Sequence, residues 1–134
     1  MPINELLADF LSEVAKSADI CLTPWKHSVL KKGIDSLSET KLSSFNELIL
    51  RIECRDTDGL RNSDKDLDLE IFRSGSELNI TLAWHNYPTR PILWQGKHSL
   101  WMDSINGQRS VMPIGGEPLE ALARRLRSKI SSLV

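Results

Sequence analysis

The sequence predicts an α+β fold: an antiparallel β-meander of five to six strands packed against N-terminal and C-terminal amphipathic helices. Three observations lead there. Apolar residues recur at helical spacing near both ends of the chain, they alternate with polar ones through the middle, and clusters of turn formers separate the alternating runs. Residues 1–134 read as a single domain, long enough to bury a core without a metal or a disulfide.

At the N-terminal end, Ile3, Leu6, Leu7, Phe10, Leu11, Val14 and Ala18 repeat the spacing of one helix face, with Asp9, Glu13 and Lys16 opposite them. The stretch from Cys21 to Phe45 is expected to open with a short helix, because Thr23-Pro24 has the form of an N-cap followed by a first-turn proline. Trp25, Val29, Leu30, Ile34 and Leu37 would form its apolar side, interrupted by Gly33. Ser36 and Glu39 have capping-box spacing, so a further turn is expected toward Leu42 and Phe45.

Period-two alternation then takes over. Leu48, Leu50, Ile52 and Cys54 alternate with Ile49, Arg51, Glu53 and Arg55, and Leu67, Leu69 and Ile71 alternate with Asp66, Asp68 and Glu70. Between them, Asp56 to Lys65 carries Asp58, Gly59, Asn62 and Ser63 and reads as a long, polar, mobile hairpin loop. Pairing Cys54 with Leu67 and Ile52 with Leu69 would set Arg55 opposite Asp66 and Arg51 opposite Glu70. Arg73-Ser74-Gly75-Ser76 turns the chain into a strand in which Leu78, Ile80, Leu82 and Trp84 face inward. After the proline-broken Tyr87 to Pro91, a short strand is expected over Ile92 to Trp94. Ser99 to Asp103 and Arg109 to Met112 would form a hairpin through Asn106-Gly107. The last helix follows Gly115-Gly116 and carries the stripe Leu119, Leu122, Ala123, Leu126, Ile130 and Leu133.

Composition narrows the function classes. With 17 basic and 18 acidic side chains, no whole-molecule field favours phosphate backbones or anionic lipid. No run approaches the roughly 20 apolar residues of a spanning helix, no leader pattern opens the chain, and a cytoplasmic protein is expected. Cys21 and Cys54 have no partner spacing and are expected to be buried free thiols.

Residues able to carry chemistry each have a plainer reading beside them. Asp66, Asp68 and Glu70 share a strand face and have the oxygen chemistry of a divalent-cation site, but such spacing also marks any solvated strand face. His27, His85 and His98 each stand near a tryptophan, yet on three separate elements and without the spacing of a zinc motif. Gly115-Gly116 before a helix suits an anion, but Glu117 places a negative charge there, so capping is the better reading. No catalytic residue, metal ligand or cofactor is therefore assigned.

The four tryptophans are many for this length. Trp84 has the parity of the buried face, whereas Trp94 and Trp101 have no clear parity, and one exposed on the sheet would mark a binding surface. The expected binding residues are Trp94, His98 and Trp101, with Arg124, Arg125 and Arg127 on the last helix. The expected function is that of a small non-enzymatic binding or adaptor module working through protein–protein contacts, with a homodimer as one form of such contact. The alternative, a nucleic-acid binder, would use the basic C-terminal helix and the sheet tryptophans. Terminal helices around a meander look broadly similar to small bacterial adaptor and secretion-chaperone folds, a likeness of architecture that implies a chaperone-like role by analogy alone.

Overall fold

A computed structural model describes residues 7–31, 47–74 and 77–131. Helix α1 (Leu7–Cys21) leads into strands β1 (Lys26–Lys31), β2 (Glu47–Arg55), β3 (Leu67–Ser74), β4 (Glu77–Trp84), β5 (Ile92–Gln95) and β6 (Ser99–Met102), and helix α2 (Gly116–Ser131) closes the chain. The strands form one six-stranded sheet in sequence order, antiparallel throughout. This is the α+β meander that the alternation predicts, with both helices packed on one face of the sheet.

Register explains the core. Ile52, Leu67 and Trp84 make one row across the inner face. Leu50, Leu69, Leu82, Leu93 and Trp101 make the next, and Leu48, Ile71, Ile80, Gln95 and Ser99 a third. Leu7, Phe10, Leu11, Val14 and Ala18 of α1 and Leu119, Leu122, Ala123, Leu126 and Ile130 of α2 close over these rows. Each helix stripe matches its predicted positions as far as the described residues reach; Ile3, Leu6 and Leu133 lie outside them. On the opposite face run Leu30, Arg51, Asp68 and Ala83, then Ile49, Glu70, Thr81, Trp94 and Leu100.

The expectation of a short helix after Cys21 is overturned. The Thr23-Pro24 peptide bond is cis and lies in a turn, and Lys26–Lys31 follows as a strand along β2. Alternation rules there after all, since Val29 lies opposite Ile52 against the core while Leu30 is exposed. Thr-Pro looks alike before a helix and in a turn, and the neighbouring strand decides between them. The Ser36 and Glu39 capping box, Leu42 and Phe45 lie outside the described residues, as do Gly75 and Ser76.

The β2–β3 register is also corrected, by two residues. Ile52 faces Leu67, Leu50 faces Leu69, and Arg51 faces Asp68. An even shift leaves every side chain on its expected face, so parity alone could not detect it. The intervening loop is closed by its own hydrogen bonds. Asp56 accepts hydrogen bonds from the amides of Asp58 at 2.9 Å and Leu60 at 3.0 Å, and the Asn62 amide donates to the Cys54 carbonyl at 2.9 Å. Finally, Arg109 to Met112 is no strand, because Met102 and Arg109 form only an isolated bridge. The Asp103 carboxylate caps the intervening turn by accepting from the amides of Ile105 at 2.8 Å and Asn106 at 3.2 Å.

Candidate functional site

In an antiparallel meander, alternate connections fall at opposite ends of the sheet. The segments 22–25, 56–66, 85–91 and 103–115 therefore share one end, together with the last turn of α1 and the first turn of α2. A cavity of about 560 Å³ opens at this end, lined by the last residue of α1, the first turn of α2 and residues of β1, β2 and β4. Trp25 and Trp84, Cys21, Cys54 and His27, and Tyr87, Arg90 and Lys65 from the loops are among the residues that line it.

The surroundings of Cys54 hold the site together. Asp66 is 2% exposed and accepts from the Cys54 amide at 2.9 Å and from both terminal nitrogens of Arg61, at 2.9 and 2.7 Å. Burial alone would push the Asp66 carboxyl up, but the Arg61 hydrogen bonds, the Cys54 amide and the charges of Arg61 and Arg51 hold it below the usual carboxylate range. Arg61 also donates to the Cys54 carbonyl at 2.8 Å, so one ion pair fixes the end of β2 and the start of β3. The His85 amide donates to the Asp66 carbonyl at 3.0 Å, which brings the β4–β5 loop and its Tyr87 and Arg90 to the same place.

His27 is the partner of Cys54 across β1 and β2, and its side chain is 1% exposed, with Nδ1 3.0 Å from Asp19 Oδ1. Burial pushes both the Cys21 and the Cys54 thiols up, away from the thiolate a nucleophile needs. Among the described residues no hydroxyl or thiol is hydrogen-bonded to His27. Two cations lie on aromatic rings of its lining: Lys65 Nζ is 5.6 Å from the Trp25 ring centre, and Arg90 Cζ is 4.4 Å from that of Tyr87.

The β6–α2 connection borders the cavity through Ile114 and carries much exposed apolar surface. Ile105 is 81% and Val111 84% exposed, Ile114 is fully exposed, and Met112 is exposed as well. Gly115, with φ of +81°, turns this segment into α2 in a conformation that glycine adopts without strain.

The six residues expected to bind do not form one surface. Trp94, His98 and Arg127 share a second depression of about 610 Å³ with Lys97 and Arg109. Trp101 is a core residue, 5% exposed, whose indole N–H donates to Glu120 at 2.8 Å; a row of inward leucines resolves the parity that its own short strand left open. The arginines diverge. Arg124 lies 3.9 Å from Glu120, Arg125 donates to Ser17 Oγ at 3.3 Å, and Arg127 donates to the Leu78 carbonyl at 3.3 Å. Of the strand carboxylates, Asp68 accepts from Arg51 at 2.8 Å and lies 3.1 Å from His85, and Asp66 is taken by Arg61. Among the described residues no group of three or more His, Cys, Asp or Glu side chains converges to hold a metal, and no helix is long and apolar enough to cross a membrane.

Residues 11–129 match a protein family described as "Domain of unknown function (DUF8659)". The chain belongs to this family. The matched span takes in both helices almost entirely and all of β1 to β6, so in this DUF8659 member the cavity lies wholly within the family's domain. No curated protein and no solved structure matches the chain.

Proposed function

We propose that the chain is a small non-enzymatic adaptor or chaperone-like module that acts through protein–protein contacts at the loop end of its sheet. The observation that carries this reading is the β6–α2 connection. One segment holds Ile105, Val111, Met112 and Ile114 in water beside an aromatic cavity, and apolar side chains concentrated in that way are characteristic of surfaces that a partner covers. The raised thiols and the absence of a hydroxyl or thiol hydrogen-bonded to His27 among the described residues support binding over catalysis. Two free cysteines, one fully buried, support a reducing, cytoplasmic setting. The nucleic-acid reading has weaker support, because Arg125 and Arg127 spend donors on Ser17 and Leu78.

The test compares the native chain with a double variant, Ile105→Asp and Val111→Asp, as immobilised baits. Both side chains are exposed, so Tm should stay within about 3 °C of the native value. A protein retained by the native chain and lost by the variant supports the proposal, and sedimentation shows whether that partner is a second copy. Identical retention by both chains would sink it.

A further inference from the structure

The lining of the loop-end cavity has a chemical bias that apolar protein contacts do not use. Trp25, Trp84 and Tyr87 provide broad ring surface, with Leu22 and Leu119 beside them. Lys65 and Arg90 lie on two of those rings, and neither forms an ion pair with a carboxylate among the described residues. Arg51 and Arg61, by contrast, are taken up by Asp68 and Asp66. The cavity's own carboxylate is Asp64, exposed to water as Lys65 and Arg90 are, so the lining carries two cations against one anion. At about 560 Å³ the cavity has the size of sites that enclose a small molecule, larger than one anchoring side chain requires.

We propose that this cavity binds a small anionic ligand with a planar apolar body, such as an aromatic carboxylate or an aromatic phosphate monoester. The body lies among Trp25, Trp84 and Tyr87, and the negative group meets Lys65 and Arg90. Arginine matches a carboxylate or a phosphate with two parallel N–H donors, and lysine adds a point charge. This site uses Lys65 and Arg90, whereas the protein-contact reading rests on Ile105 and Val111, so each can fail alone.

The probes are naphthoate and naphthyl phosphate, with neutral naphthalenemethanol and cationic naphthylmethylammonium as controls. Each is titrated against the full chain by calorimetry, and the indole N–H resonances report which tryptophans respond. The acids should bind about tenfold or more tighter than the alcohol, and the ammonium compound weakest. The shifts should fall on Trp25 and Trp84. In a Lys65→Gln, Arg90→Gln double variant the acids should lose that advantage while the alcohol binds as before, and because both side chains are exposed the fold survives the change. A preference for phosphate or for carboxylate then separates the two ligand sources. Equal binding of acid and alcohol overturns the proposal, as does an unchanged acid affinity in the double variant or a response confined to Trp94. An acidic, aromatic-bearing peptide that binds where naphthoate does not would assign the cavity to a protein partner and overturn it too.

Discussion

Asp66 shows how much one side chain can decide. It has the strand parity of the solvent face, yet it is buried and accepts three hydrogen bonds, two from Arg61 and one from the Cys54 amide. Asp66→Asn would leave the Arg61 guanidinium only Glu53, 3.3 Å away, as a charge partner and is expected to lower the unfolding free energy by about 1–3 kcal/mol, read from urea midpoints. Its sign with pH follows. The folded carboxyl titrates below the unfolded one, so its contribution is complete above the unfolded carboxylate range and fades as pH falls through the folded value. The native chain should therefore lose stability more steeply than the Asn variant below about pH 4. The sequence pointed to this carboxylate as a cross-strand partner of Arg55; what it could not show is the loop that folds Arg61 back over it.

At the scale of elements, helices α1 and α2 were the most legible, because a stripe of five apolar residues on each leaves one way to bury it. Strand β1 was not, since a six-residue segment with one exposed leucine carries little periodicity of its own and takes its conformation from β2. The junction of β6 and α2 depends on close approach. A Cβ built on Gly116 would lie 2.5 Å from Met112 Cγ and 2.9 Å from Trp101 Cζ2. Gly116→Ala should cost about 1–3 kcal/mol in chemical denaturation despite alanine's better helix propensity, because an indole held by Glu120 cannot yield cheaply. A neutral or stabilising outcome would show that Met112 and Trp101 repack freely.

For the whole molecule, the helices and the inner face of the sheet share one core, centred on the row Leu50, Leu69, Leu82, Leu93 and Trp101. Leu82→Ala removes a fully buried side chain from the middle of that row and should cost about 2–5 kcal/mol. With a single core, tryptophan fluorescence and far-ultraviolet circular dichroism should still report one coincident transition, and two separated midpoints would contradict the shared core. The candidate site also belongs to this scale. Trp25, Lys65, Tyr87 and Arg90 are scattered along the chain, with no motif to join them, and meet because the meander returns three connections to one end of the sheet.

Periodicity alone determined that this chain makes a meander between two helices, and which side of most strands faces inward, because hydrophobic burial acts on every second or every third to fourth residue and leaves its mark locally. Tertiary structure decided the pairing of β2 with β3, the burial of Trp101, the divergence of the C-terminal arginines and the assembly of the aromatic cavity. Those features depend on contacts between residues far apart in the chain, where the closure of a loop and the partner of a charge select among arrangements that bury the same apolar faces equally well.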